Sequence, residues 1–172
     1  MEKETFQFSN RQEYIETLDS VMPDNYIMKR NLGAGKTATY LPVPIQEAIA
    51  DMMFQEWNII DEKYDILINE IVCTVKISYV PSYPGANEQF CTGSAAIAIQ
   101  MDSKSTISDF PKNKKLNALE YNLPGVRKRA EGTALENIGN IFGRNIGRKL
   151  DKDTSLESNF KIRKYGNKEK TK

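Results

Sequence analysis

The segment Leu123–Asp153 constrains the fold most, because it sets glycines at 139, 143 and 147 into an otherwise helix-compatible sequence. Leu123-Pro124 supplies a helix start, Arg127-Lys128-Arg129 follows, and Arg144, Arg148, Lys149 and Lys152 close the segment. The pattern predicts one long helix over 124–150. Glycine costs a helix up to about 1 kcal/mol relative to alanine, and residues four apart share a face. A stripe of them is tolerated where another backbone passes close, so Gly139, Gly143 and Gly147 read as close-packing or oligomer-contact positions. Three cations in a first helical turn oppose the helix dipole, and an anionic partner would offset that cost. The cations at 144–152 suit a helix C-terminus on dipole grounds and would equally line a basic groove.

A near-neutral total charge of +1 conceals a polarity. Residues 1–103 hold 7 Lys and Arg against 15 Asp and Glu, whereas 104–152 hold 11 against 5. Such asymmetry points to an anionic partner or to self-association of unlike surfaces. The chain has no His, which removes the commonest general base and metal ligand. Cys73 and Cys91 lack metal-ligand spacing and read as apolar fillers on strands. No apolar run is long enough to span a bilayer and the first residues are charged, so the expectation is a soluble, cytoplasmic protein without a membrane partner.

Along the chain, Ser9-x-x-Gln12 predicts a capping box opening a helix over 10–21. Asn31–Thr37 is a glycine-rich loop, and Pro44 opens a helix over 44–56. Residues 57–69 predict a strand interrupted near Asp61-Glu62. Ile71–Tyr79 alternates with Ile71, Cys73, Val75 and Ile77 on one face, and 88–101 alternates with Cys91, Gly93, Ala95, Ile97 and Ile99 inward. Residues 102–115 form a polar, basic connection. The expected architecture is α+β: a three-stranded antiparallel β-meander covered by a long C-terminal helix, with two N-terminal helices. Its two open sheet edges call for a partner or a ring. Residues 1–153 form the domain, and 154–172 a polar, disordered tail.

Three motifs bear on chemistry. Gly33-Ala-Gly35-Lys36-Thr37 suggests a phosphate loop, but the full motif needs glycine where Arg30 stands, and Pro42 and Pro44 interrupt the helix that should follow. A flexible or phosphate-contacting loop is the better reading. Asp61-Glu62-Lys63 mimics part of a metal-dependent nuclease core, with a solvated turn as the simpler account. Trp57 and Tyr64 could stack on bases but read first as core aromatics.

Tyr26–Leu41 looks like a succession of Tyr-Ile, Arg, a glycine-rich loop and Tyr-Ile, and Ile49–Trp57 like a helix ending in Asn-Glu-Met-Phe followed by Gly-x-x-Gly-Trp. Arg127-Lys128, Ala130, Leu135, Phe142-Gly143, Gly147 and Leu150-Asp-Lys-Asp153 follow in order. Over residues 9–153 this succession resembles the Rad-fifty-two family of single-strand annealing proteins, in a divergent form such as phages and mobile elements carry. The resemblance implies a bacterial host, a ring or filament of copies, and ATP-independent annealing of complementary single-stranded DNA in recombination and repair. It implies no catalytic residue, metal or cofactor. Arg127, Lys128 and Lys152 match basic family positions. The family arginine after the glycine loop is Pro44 or Ile45 here, and a family Lys-Arg pair falls on Glu136-Asn137. Lys29, Arg30, Lys36, Arg129, Arg144, Arg148 and Lys149 are the remaining DNA-binding candidates. The tail is a candidate docking segment for a single-stranded-DNA-binding protein. A metal-dependent nuclease using Asp61, Glu62 and Lys63, and an oligomeric scaffold without DNA binding, are the alternatives.

Overall fold

The alternating segments pair as one antiparallel sheet in the computed structural model, which describes residues 6–33, 35–99, 104, 106, 118–144 and 146. The element order is α1 (Arg11–Leu18), β1 (Met28–Gly33), β2 (Lys36–Tyr40), α2 (Val43–Met53), β3 (Phe54–Leu67), β4 (Glu70–Pro81), β5 (Gln89–Ala98) and α3 (Ala118–Ile138). Strands β3, β4 and β5 form the sheet in that order, and β1 with β2 forms a separate hairpin. The architecture is therefore α+β, with a three-stranded antiparallel sheet and a C-terminal helix against it.

Residues of period two reach the core. Ile71, Cys73, Val75 and Ile77 of β4 are buried beneath α3, flanked in register by Ile66, Tyr64, Glu62 and Ile59 of β3 and by Ile97, Ala95, Gly93 and Cys91 of β5. The expected interruption of β3 is a bulge: Ile59 opposes Ile77 and Asp61 opposes Lys76, leaving Ile60 over. The opposite sheet face is left open by the described residues, with Thr74 bonded to Ser94 (2.9 Å) and the Lys76 ammonium 4.7 Å from the Phe90 ring.

Helix α3 lies unusually close to this sheet. A Cβ at Gly93 would overlap the Ala134 nitrogen and the Ala130 carbonyl and stand 2.6 Å from the Ala134 Cα. The Cys91 thiol donates to the Ala134 carbonyl (3.2 Å) on the same line of contact. Val126, Ala130, Ala134 and Leu135 of α3 are fully buried there. Helix α2 begins where Pro44 needs no intrahelical N–H partner and packs Gln46, Ile49, Ala50 and Met53 inward. Phe142 returns from the 3-10 turn Asn140–Phe142 to stack on Phe54, with ring centroids 5.8 Å apart.

Several expectations are corrected. α3 begins at Ala118, so Pro124 lies inside it, and it stops at Ile138 rather than continuing to 150. Gly139 is extended (φ −173°) and Gly143 is left-handed (φ +95°), so neither lies on a helical stripe. Two glycines that each weaken a helix end it instead. They pack within the chain: a Cβ at Gly139 would meet Leu18 of α1 at 3.0 Å, and one at Gly143 would meet Leu41 at 3.1 Å. The glycine-rich loop is the tip of the β1–β2 hairpin, with Gly35 left-handed (φ +75°). The α1 cap is Asn10, whose Oδ1 accepts from the Glu13 N–H (3.1 Å) while the Glu13 carboxylate accepts from the Ser9 N–H (2.7 Å). The capping box is thus shifted by one residue from Ser9. Gly147, most of the 102–115 connection and the 154–172 tail lie outside the described residues. No helix among the described residues is long and apolar enough to cross a membrane.

Two glycine substitutions test the helix–sheet approach. Gly93→Ala should destabilise the fold by about 1–3 kcal/mol, the usual cost of overpacking. Gly125→Ala, whose Cβ would meet only the Ile97 Cδ1 at 3.5 Å, should stabilise it by up to about 1 kcal/mol through helix propensity. Urea denaturation followed by circular dichroism measures both.

Candidate nucleic-acid interface

The predicted basic residues fall into two environments. The first is the β1–β2 hairpin, where Lys29, Arg30 and Lys36 are all exposed. Strand alternation and register place Met28 and Arg30 on one face with Tyr40 and Ala38, and Lys29 on the other with Thr39. Met28 is 54% exposed and Tyr40 39%, their contact being a Tyr40 hydroxyl 4.0 Å from the Met28 sulfur. Tyr26, just before the strand, is exposed as well. The hairpin thus carries cations interleaved with aromatic and thioether surface.

Thr39 Oγ1 donates to the Ile146 carbonyl (3.2 Å), which holds the second hairpin face against the turn after Phe142. That turn exposes Arg144. The Arg144 charge also acts on the nearby Cys91 thiol, although burial is the larger influence and pushes the thiol up. Lys29, Arg30, Lys36 and Arg144 are therefore grouped on the hairpin and the turn that supports it. Arg148, Lys149 and Lys152 lie outside the described residues.

The second environment is α3, and here the sequence expectation needs correction. Arg127, Lys128 and Arg129 sit mid-helix, nine or more residues past Ala118, so they do not oppose a helix N-terminus. Arg127 Nε donates to Glu62 Oε1 of β3 at 2.6 Å. Lys128 is bonded to Glu47 of α2 and lies 3.5 Å from Glu131 Oε2. Arg129 is exposed and makes no ion pair among the described residues. The pairing runs from α3 to both neighbouring elements, so two of the three cations serve partly as internal ties.

Glu131 stands at the centre of this network with its side chain 3% exposed. Burial first, and then the neighbouring Glu47 carboxyl, raise its pKa to about 7. Burial also opposes ionisation of Glu47, but hydrogen bonds with Glu131 and Lys128 outweigh it and hold that carboxyl below its usual range. The Arg127 guanidinium does the same for Glu62. Beside the network a hollow of about 530 Å³ is lined by Tyr64, Leu123, Pro124, Arg127 and Lys128. Tyr64 is 38% exposed and donates from its hydroxyl to Glu62 Oε2 (3.0 Å), so it is not a core aromatic. Trp57 is half-buried and donates to Asp51 Oδ1 (3.0 Å).

The nuclease-like triplet does not converge. Asp61 and Lys63 point to the open sheet face, opposite Lys76 and Thr74, whereas Glu62 points under α3 to Arg127. Lys63 is bridged to Asp65 at 3.0 Å. Among the described residues, no three Cys, Asp or Glu side chains gather as a metal-sized cluster. Glu136, where the resemblance expects a cation, accepts from the buried Gln46 amide at 3.3 Å, and Asn137 donates to the Thr92 carbonyl at 3.0 Å. Both are structural ties between α3 and its neighbours. No family model and no curated protein sequence matches the chain.

The buried carboxyl gives a pH signature for stability. Its folded-state pKa lies above the ordinary value near 4.5, so its stabilising contribution is complete below that ordinary value and is lost as pH rises through about 7. Glu131→Gln, which mimics the protonated form, should raise the melting temperature at pH 8 and leave it nearly unchanged at pH 4.5. Differential scanning calorimetry across that range measures the effect. An equal shift at both pH values would contradict it.

Proposed function

We propose that this protein binds single-stranded DNA through the β1–β2 hairpin and the adjoining Arg144 turn, and pairs complementary strands without nucleotide hydrolysis. The observation that carries this reading is the exposed hairpin surface, where Lys29, Arg30 and Lys36 are interleaved with Tyr26, Met28 and Tyr40. Cations hold a phosphate backbone without reading its sequence, and aromatic faces stack on any base. Annealing needs strands held by their backbones with bases presented outward, and no covalent chemistry is required of the protein. The Rad-fifty-two resemblance agrees with this, and Arg129 adds an exposed cation on α3.

Assembly into a homo-oligomer, ring or filament, belongs to the same reading. Among the described residues, the sheet has unpaired edges at β3 and β5, and the β3–β4 tip exposes Ile66, Leu67 and Ile68. Ile68 is held there in a left-handed conformation (φ +58°) unusual for a branched residue. Unpaired edges and exposed apolar side chains are both relieved by association.

Fluorescence anisotropy with a labelled single strand tests the reading. The triple variant Lys29→Gln, Arg30→Gln, Lys36→Gln should bind at least about tenfold more weakly at 0.1 M salt. It should also lose about 0.7 per missing phosphate contact from the slope of log affinity against log salt. Its melting temperature should be unchanged, because all three side chains are exposed. Light scattering on the same samples should report a mass above that of a dimer. Unaltered affinity and slope in the triple variant would exclude the hairpin.

A further inference from the structure

The two paired cations of α3 face three carboxylates, one more than they can neutralise. Arg127 is taken by Glu62 and Lys128 by Glu47. Glu131 lies between them, 3.5 Å from Lys128 and 3.9 Å from Arg127, with its side chain almost fully buried. The charged and titratable groups around the pair come from every adjoining element. They are Glu47 and Asp51 of α2, Arg127 and Lys128 of α3, Glu62 and Tyr64 of β3, and the Cys73 thiol of β4. Asp51 is itself engaged by Trp57. The hollow lined by Tyr64, Leu123, Pro124, Arg127 and Lys128 opens beside the same cations.

We propose that the Glu47–Glu131 pair is a proton-operated clamp on Lys128 and Arg127, so that a nucleic-acid phosphate enters the adjoining hollow only with a proton held on the pair. The inference rests on the single-strand-binding reading and adds its regulation. With both carboxyls ionised, Lys128 and Arg127 are neutralised internally and the hollow repels a phosphate. With one carboxyl protonated, the network carries equal numbers of cations and carboxylates once Glu62 is included, and Lys128 can turn part of its hydrogen bonding outward. The arriving phosphate adds negative charge beside Glu131, so the bound form keeps its proton to higher pH than the free form. Linkage then fixes the sign. Affinity is flat below the pH where free Glu131 ionises, near 7, and falls above it by at most about tenfold per pH unit for one proton.

The test is anisotropy of a labelled deoxyadenosine oligonucleotide from pH 6 to 9 with the wild-type chain and Glu131→Gln. Calorimetry of the wild type in two buffers of different ionisation enthalpy accompanies it. Wild-type affinity should hold between pH 6 and 7 and drop several-fold by pH 8.5, with net proton uptake on binding at pH 8. Glu131→Gln should show no drop and bind several-fold tighter than wild type at pH 8.5. If the variant does not fold, the calorimetric proton count decides alone, and zero uptake overturns the clamp. A wild-type decline that the variant retains overturns the clamp and leaves the single-strand reading standing. Absence of binding by both proteins at pH 6 and low salt overturns both.

Discussion

The backbone of α3 approaches β5 so closely at Gly93 that any side chain there would collide with the Ala130 and Ala134 peptides. This contact sets the depth of the helix on the sheet, and the rest of the arrangement follows from it. Ala130 and Ala134 are buried there with only methyl groups, too small to hold the helix off. Glu131, between them in sequence, is carried down into a low-dielectric position next to α2. Arg127, one turn earlier, comes within reach of Glu62 on β3. Beyond Ile138 the chain breaks at Gly139 and turns back, which brings Phe142 onto Phe54 and the following turn under the hairpin.

The consequence is a division of labour among cations. Charges on α3 are partly spent within the fold, because Arg127 and Lys128 lie against carboxylates that burial and geometry keep in place. Charges on the hairpin and on the Arg144 turn are exposed, those of the hairpin alternating with exposed aromatic and thioether side chains. A mid-helix cation bound to a carboxylate costs little to keep and contributes little outside attraction. Among the described residues, the exposed cations of the two-stranded arm have no such partner to leave. The proposed clamp lies at the boundary between these two conditions, since protonation moves Lys128 and Arg127 from the first toward the second.

The meander was legible because the inward positions of β4 and β5 recur at every second residue, the period of a strand buried on one face. Cys91, Gly93, Ala95, Ile97 and Ile99 face inward as their spacing predicts. The extent of the last helix was not legible. Its helix-like composition runs past residue 138, and only tertiary packing against Leu18 and Leu41 decides that Gly139 and Gly143 terminate it. Residues 31–37 were read only as a glycine-rich loop, because a short, largely exposed two-stranded arm has no hydrophobic period to display. The basic triplet was visible, but its partners Glu47 and Glu62 lie about 80 and 65 residues away, a distance no local pattern spans. One signal could have found the buried carboxyl: Glu131 sits at an inward position between Val126, Ala130, Ala134 and Leu135, where a carboxyl needs a partner or a proton.

Photocrosslinking of a single strand carrying reactive bases, with the sites mapped by mass spectrometry, tests the account most directly. The division of cations places crosslinks on the hairpin aromatics Tyr26 and Tyr40 and on the peptide containing Arg144. Crosslinks confined to the open sheet face around Lys76 and Phe90, with the hairpin unmodified, would contradict it.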